Sequence, residues 1–193
     1  LKLVFPVLLI FLFSCYSGWM PKNISHVTSS SPDGQITLTI SENSGQLYYA
    51  VMKGDRQILS PSKLGLVFQD KGGYDTHLKI KDYFVITVDH TWEQPWGEEQ
   101  FIRNYYTQLT VEVSSTQIND RSMSILFRLY NDGIAFRYQI DGKAEESYVL
   151  LDELSEFNIE SNPETWWTKA YQWNRYEYLY EKSLLSEIDT VHT

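Results

Sequence analysis

The sequence predicts an all-β protein whose antiparallel strands pack as a sandwich. Apolar and polar residues alternate over short runs, most clearly in Gln35–Ile40, where Ile36, Leu38 and Ile40 point to one face. Turn residues separate the runs, and beyond residue 34 no stretch keeps the period of an amphipathic helix. Aromatic residues are 15% of the chain, which also suits β-structure. Strands at short intervals with turns between them favour two packed sheets.

Glycine-containing turns predict hairpins at three places. Asn43-Ser44-Gly45 and Lys53-Gly54-Asp55 follow the first two strands, and Asn131-Asp132-Gly133 separates a later pair. Residues 70–82 are predicted to be a polar loop, and Asp152–Asn158 fit either a short strand or a loop. The strands predicted after Gln35–Ile40 are Gln46–Met52, Arg56–Leu59, Leu64–Phe68, Tyr83–Val88, Asn104–Ser114, Met123–Tyr130, Ile134–Ile140 and one that contains Trp166 and Trp167.

The first 33 residues predict a leader and a tether. Residues 1–14 carry one positive charge followed by an apolar run that suits a signal peptide and is too short to span a bilayer. Leu12-Phe13-Ser14-Cys15 resembles a bacterial lipobox, so residues 1–15 end at a candidate lipid-attachment site, Cys15. Ordinary secretion, with Cys15 removed or left in the tail, is the less favoured alternative. Residues 16–33 are polar and rich in serine, as expected of a flexible tether.

Charge and cysteine content restrict the partners. The net charge is −9 and no basic cluster is present, which argues against nucleic acid as a partner. Cys15 is the only cysteine, so the chain cannot form an internal disulfide. The four histidines are scattered, which does not suit a zinc site. A neutral ligand such as a sugar, or a hard cation bound by carboxylates, fits this composition better.

The stretch Thr91–Tyr106 combines Trp92 and Trp96 with a Pro-Trp-Gly turn and the acids Glu98 and Glu99. Two interpretations are open. The favoured one is a packed corner in which the tryptophan rings close the end of a sheet, and the other is a rim that faces sugar or another domain. Glu98 and Glu99, if they lie on a strand, point to opposite faces and cannot act together as general acid and base.

Other charged and aromatic residues are predicted to have structural roles. Arg121 and Arg137 are expected to pair with acids and hold turns rather than grip substrate. Trp166, Trp167 and Trp173 could stack on sugar rings, but sealing a core or an interface is the favoured interpretation.

Several motifs together resemble the N-terminal domain of glycoside hydrolase family 97, the α-glucosidase and α-galactosidase group. They occur in the family's order and cover most of residues 30 to 190. The motifs are TWEQPWGEE with IRN after it, Leu64-Gly65-Leu66, Asn119-Asp120-Arg121-Ser122 followed by FRLYNDGIAFRY, Tyr176-Glu177-Tyr178, and Leu185-Ser186-Glu187-Ile188.

This resemblance implies a large β-super-sandwich of the galactose-mutarotase-like kind over residues 34–193. An irregular C-terminal arm, residues 166–193, leads towards a catalytic (β/α)₈ barrel that is missing here. The catalytic carboxyl groups of the family lie in that barrel, so none is expected in this chain, and the fragment alone is expected to be inactive. The resemblance also implies a secreted or lipid-anchored enzyme in the periplasm or outer membrane of a Gram-negative bacterium.

The resemblance further implies calcium as cofactor and an α-linked oligosaccharide as substrate. In calcium-dependent members a glutamate of the N-terminal domain reaches the metal beside the active site, and the matching residue here is Glu177. Calcium takes six to eight oxygen ligands, so the barrel would supply the others. The alternatives are a stand-alone carbohydrate-binding module and a structural lipoprotein domain without a ligand.

Overall fold

The computed structural model of the chain describes residues 24–69, 73–116, 122–142, 147–170, 174 and 177–191, and strands dominate them. In these residues the only helical element is a single 3₁₀ turn, Leu185–Glu187. The strands are β1 (His26–Ser30), β2 (Ile36–Asn43), β3 (Gln46–Lys53), β4 (Arg56–Leu64), β5 (Leu66–Phe68), β6 (Leu78–Glu93), β7 (Phe101–Ser115), β8 (Ser122–Leu129), β9 (Ile134–Asp141), β10 (Leu150–Glu153), β11 (Glu164–Trp167) and β12 (Glu181–Leu184).

Two four-stranded antiparallel sheets enclose the core. Their strand orders are β1-β2-β3-β4 and β6-β7-β8-β9. Alternate residues of both sheets point inward, as Leu38 and Ile40 do on β2 and Ile125 and Phe127 do on β8. Tyr49 of β3 reaches across to Phe127, with ring centroids 6.3 Å apart. The predicted all-β sandwich is therefore confirmed.

The predicted tether is wrong over its last part, because His26–Ser30 form β1. This strand pairs with β2 from His26 opposite Ser41 to Ser30 opposite Thr37. Val27 is buried, and hydroxyl pairs such as Ser30 with Thr37 (3.2 Å between the oxygens) line the other face. Serine and threonine are polar enough to resemble a linker, yet cross-strand hydroxyl pairs stabilise a sheet.

The predicted loop 70–82 ends sooner than expected, because β6 begins at Leu78. Leu78 and Ile80 are buried, and they pair with Ser115 and Val113 of β7. β6 and β7 have 16 and 15 residues, so they form a hairpin much longer than the strands that cover it.

The ambiguous stretch Asp152–Asn158 begins in β10 and continues as an irregular strip along the free edge of β4. β10 pairs with β5. Beyond it, the Glu156 amide donates to Lys63 O (2.9 Å), and the Ser60 amide donates to Asn158 O (2.8 Å). The Tyr49 hydroxyl also donates to Glu156 O (2.7 Å). The strip therefore covers an edge that would otherwise present unpaired main-chain groups.

The β2–β3 turn contains a glycine that the fold requires. Ser44 and Gly45 both have positive φ, 52° and 80°, which matches a two-residue hairpin loop. A Cβ at Gly45 would lie 2.9 Å from the backbone nitrogen of His77, whereas a Cβ at Gly54 meets nothing within 4 Å.

We expect Gly45→Ala to lower the free energy of unfolding by about 1 kcal/mol more than Gly54→Ala, because both force alanine into the left-handed region and only Gly45 adds a backbone clash. Urea unfolding of the two variants measures this difference. Equal costs would contradict the clash.

Among the described residues, no helix is long and apolar enough to cross a membrane. Residues 1–23, which hold the predicted leader and Cys15, lie outside the described part of the chain.

Candidate functional site

Glu177 lies on the C-terminal arm, shortly before β12, and its side chain is exposed. In the described part of the chain, no three histidine, cysteine, aspartate or glutamate residues come close enough together to hold a metal. One exposed carboxylate can supply one or two of the six to eight oxygens that calcium takes. Glu177 therefore fits a metal shared with other groups and does not make a calcium site by itself.

The arm is more regular than predicted, because β11 and β12 form a two-stranded sheet of their own. Asn162 and Ser186 tie its base together by two hydrogen bonds of 2.9 Å. Lys182 pairs with Glu164 (2.8 Å) across the two strands. These contacts hold the region on both sides of Glu177 in a hairpin.

Apolar side chains of the arm face outward. Leu179 is 92% exposed, and Trp166, Tyr180 and Val191 are also exposed. Trp166 therefore seals no core within the described residues, and of the favoured prediction, a core or an interface, only the interface remains. Trp167 is half-buried and its indole N–H donates to Ser183 Oγ (3.1 Å), while Trp173 lies outside the described residues. An apolar surface of this kind marks an interface more often than a free face.

The predicted packed corner at Thr91–Tyr106 is also wrong. Trp96 is 83% exposed, and Trp92 and Phe101 are exposed beside it at the end of the β6–β7 hairpin. The hairpin extends beyond the first sheet, so nothing in the described part of the chain covers these rings. The alternative interpretation, a rim that faces a ligand or another domain, agrees with this exposure.

Glu98 and Glu99 lie in the loop between β6 and β7 and not on a strand, so the expectation that they point to opposite faces does not apply. Two hydrogen bonds close the loop. The backbone N–H of Gln94 donates to the backbone oxygen of Gln100 (3.0 Å), and the side-chain Nε2 of Gln100 donates to Glu93 Oε1 (2.8 Å). Both acids are exposed, and among the described residues neither has a neighbour that would make it a general acid or base.

An ion pair braces the same hairpin below its loop. Arg103 binds the Asp89 carboxylate through two hydrogen bonds of 2.9 and 2.8 Å, and its guanidinium lies over the Tyr105 ring at 4.4 Å. The hydrogen bond from Arg103 holds the pKa of Asp89 below its usual value. Because the pair is exposed, its role is to fix the shape of the hairpin rather than to add much stability.

A groove of about 720 Å³ opens between the sheets on the β9 side. Most of its lining is apolar, and Arg137 and Glu153 are its charged residues. The lining includes Leu59, Leu66, Phe68, Ile134, Phe136, Tyr138, Ile140, Leu150 and Phe157. The sequence did not predict this groove, because most of these residues fell in predicted strands, where they looked like ordinary core, and Leu150 and Phe157 lay outside those strands.

A chain of hydrogen bonds connects two residues of the groove lining, Tyr138 and Glu153. The backbone amide of Gly65 donates to the Tyr138 hydroxyl (3.1 Å), and this hydroxyl contacts Ser155 Oγ (2.7 Å). The Ser155 hydroxyl in turn donates to the Glu153 carboxylate (2.8 Å). Burial raises the pKa of Tyr138. Arg137, which was expected to pair with an acid, forms no ion pair with any described residue, and Arg121 lies outside them.

Residues 30–193 match the family described as Glycosyl-hydrolase 97 N-terminal. The chain is 28% identical over 135 residues to the retaining alpha-galactosidase of Bacteroides thetaiotaomicron, which covers 70% of this chain and 19% of that protein.

Solved structures give the same result. A glycoside hydrolase family 97 enzyme from Pseudoalteromonas sp., in complex with panose, aligns with a TM-score of 0.76 and 29% identity over 83% of this chain and 25% of its own. The acarbose complex of that enzyme aligns with a TM-score of 0.74 and 29% identity over 81% of this chain and 24% of its own. The chain thus spans about a quarter or less of the length of these relatives.

Proposed function

The chain belongs to glycoside hydrolase family 97 and matches its N-terminal domain, and we propose that it serves in an enzyme that hydrolyses α-linked glucosides or galactosides. The observation that carries this proposal is the match over residues 30–193, together with a sandwich that aligns with a family member in its complexes with panose and with acarbose. In this proposal the chain supplies no catalytic carboxyl group. Its role is to pack on a catalytic barrel and to shape one side of the substrate site.

The exposed apolar residues of the arm support this packing role. Leu179, Tyr180 and Trp166 lie around a hairpin whose base is fixed by hydrogen bonds, so they present a surface of defined shape. Burying such side chains contributes about 1.5–3 kcal/mol each, which favours a partner domain over exposure to water. We propose that this partner is the barrel of the same enzyme.

In the proposed enzyme, Glu177 provides one ligand to a calcium ion shared with the barrel. Its support is the family motif Tyr176-Glu177-Tyr178 and the exposure of the carboxylate beside the apolar surface of the arm. When bound, calcium supplies positive charge that stabilises the charged groups of the reaction. The part played by Glu177 is to hold a carboxylate oxygen at the boundary between the two domains.

We expect Glu177→Gln, in the enzyme that joins this domain to its barrel, to lower hydrolysis of α-glucoside or α-galactoside by at least about tenfold at limiting calcium, because a carboxylate ligand is lost. Saturating calcium should restore part of the rate. Hydrolysis is measured against calcium concentration, with and without a chelator. Asp55→Asn, which removes an exposed carboxylate in the turn between β3 and β4, is the control. A hydrolysis rate that the chelator leaves unchanged, or an equal loss of that rate in both variants, would exclude the metal role.

A second candidate is a stand-alone carbohydrate-binding module, and the exposed Trp92 and Trp96 are the observation in its favour. It differs from the first in predicting affinity of this chain alone for an oligosaccharide such as panose. Titration followed by tryptophan fluorescence, compared between the chain and Trp96→Ala, separates the two. Saturable binding that Trp96→Ala abolishes would favour the module.

We also propose that the protein is exported and held by lipid at Cys15, in the periplasm or outer membrane of a Gram-negative bacterium. The support is the lipobox-like run Leu12-Phe13-Ser14-Cys15 after an apolar leader. Labelling with a fatty acid, compared between the chain and Cys15→Ser, tests this proposal.

A further inference from the structure

The β11–β12 hairpin is locked at its base by one side chain, Asn162. The side-chain amide of Asn162 donates to Ser186 Oγ (2.9 Å), and its carbonyl oxygen accepts a hydrogen bond from the backbone N–H of Ser186 (2.9 Å). Ser186 belongs to the motif Leu185-Ser186-Glu187-Ile188, to which the proposed function assigns no role. A single asparagine therefore uses both ends of its amide to join the two sides of the hairpin where they leave the sheet.

Two further hydrogen bonds close the base of the hairpin. The backbone N–H of Leu185 donates to Pro163 O (2.9 Å), which continues the pairing beyond the last residues of the sheet. The Glu187 carboxylate accepts a hydrogen bond from the backbone N–H of Leu184 (3.0 Å) at the start of the 3₁₀ turn. Three consecutive residues of the motif thus act in one cluster.

The hairpin depends on this cluster because the sheet itself is small. β11 and β12 have four residues each, and they pair with one another and with no other described strand. A two-stranded hairpin of this size is only marginally stable in water. The two hydrogen bonds of Asn162 therefore form a large part of what keeps the strands paired.

Glu177 lies at the other end of the same hairpin. It is exposed in the connection between the two strands, and residues 177–180 run directly into β12, which begins at Glu181. Lys169, which follows β11, pairs with Glu181 across this end (3.1 Å). The direction in which the Glu177 carboxylate points therefore depends on whether β12 stays paired with β11.

We propose that Asn162 is a positioning residue for Glu177. This inference rests on the proposed role of Glu177 as a calcium ligand, and it assigns the Leu-Ser-Glu-Ile motif the task of keeping that ligand in place. While the hairpin is paired, the carboxylate is held ready to bind. When the hairpin opens, the carboxylate has to be ordered again at the moment of binding, so the apparent affinity falls with the fraction of paired molecules. Asn162 itself contacts neither metal nor substrate in this proposal.

Hydrogen exchange of the chain tests the lock without a metal. We expect Asn162→Ala to speed exchange of the backbone amides of residues 181–186 by at least about tenfold, because the hairpin opens more often. Asn162→Asp should exchange more slowly than Asn162→Ala, since a carboxylate still accepts hydrogen bonds from the N–H and the hydroxyl of Ser186. Equal exchange in the wild type and Asn162→Ala overturns the lock.

Asn131→Ala is the matched control for this experiment. It makes the same chemical change in the β8–β9 turn, where the Asn131 side-chain oxygen accepts from the backbone N–H of Asp33 (3.2 Å). We expect this variant to leave exchange of residues 181–186 unchanged. Faster exchange of these amides in Asn131→Ala as well would mean that the effect is general, and it would overturn the assignment to Asn162.

Calcium titration of the enzyme that joins this domain to its barrel tests the positioning role. We expect Asn162→Ala to weaken calcium binding, measured by isothermal titration calorimetry, by at least about threefold, and to act on the calcium concentration that gives half the maximal hydrolysis rate rather than on the maximal rate. Unchanged affinity in Asn162→Ala overturns the positioning role. A maximal rate that falls as much as the affinity also overturns it, because that pattern indicates general structural damage.

Failure of the proposed function gives a different result in the same titration. A wild-type enzyme that binds no calcium refutes the metal role of Glu177 and, with it, the positioning role of Asn162. A wild-type enzyme that binds calcium with the same affinity as Asn162→Ala refutes the positioning role alone.

Discussion

Phe127→Ala should lower the free energy of unfolding by about 3–5 kcal/mol, because it leaves a cavity where the two sheets meet. Phe127 is fully buried, and its ring lies 5.5 Å from that of Phe136 and 6.3 Å from that of Tyr49. Tyr49 belongs to the opposite sheet, so the contact between the layers is lost together with the apolar burial. Equilibrium unfolding in urea measures the change.

Phe101→Ala is the matched control for this cavity. It makes the same chemical change at an exposed position of β7, and we expect it to alter stability by no more than about 0.5 kcal/mol. A small loss from Phe127→Ala would mean that the sheets close over the cavity.

Stability should also fall steeply between pH 10 and pH 12, and Tyr49 should account for about 2 kcal/mol of that fall. Burial raises the pKa of Tyr49 to about 12 from its ordinary value of 10.0. Between these values the unfolded chain has lost the phenolic proton and the folded chain still holds it, so rising pH favours unfolding. Below pH 10 both states are protonated, and the contribution is fully retained.

The effect of Tyr49→Phe on the free energy of unfolding should therefore change sign with pH. At pH 8 the variant should be less stable by about 1 kcal/mol, because Glu156 O loses the hydroxyl that donates to it at 2.7 Å. Near pH 12 the variant should be the more stable protein, because it has no phenol to ionise. Urea unfolding at both values measures this crossover. Tyr180→Phe, at an exposed position, should follow the wild type throughout.

The sequence predicted the parts of the fold in which local pattern and tertiary packing agree. The alternation of Ile36, Leu38 and Ile40 determined the inner face of β2, and Asn131-Asp132-Gly133 fixed the β8–β9 hairpin. β1 was not predicted, because its serines and threonines pair with hydroxyls of β2. The sequence of β1 alone does not show that these partners are present. The irregular strip around Glu156 was not predicted either, because its hydrogen bonds are made with residues that are far away in the sequence.

The candidate site was predictable only in part, because exposure depends on what lies opposite a residue in space. Trp96 has a large apolar side chain of the kind that is usually buried. The β6–β7 hairpin is so long, however, that Trp96 lies beyond the sheet that could have covered it. Glu177 was predicted as a metal ligand through a motif and not through chemistry visible in the chain, and that role stays a prediction. The groove beside β9 had no local signal, since its lining comes from separate strands.

The strip beside β4 has a consequence for the order in which the chain folds. The backbone amide of Lys63 donates to the Glu156 carboxylate (3.1 Å), and the two residues are 93 positions apart in the sequence. The residues between them include β6 to β9. Because closing so long a loop costs conformational entropy, we expect the strip to dock after the intervening hairpins have formed. The edge of β4 therefore stays open until the last steps of folding. Any ribosome-bound or partly unfolded chain that has not yet placed Glu156 exposes a strand ready to pair with a neighbour.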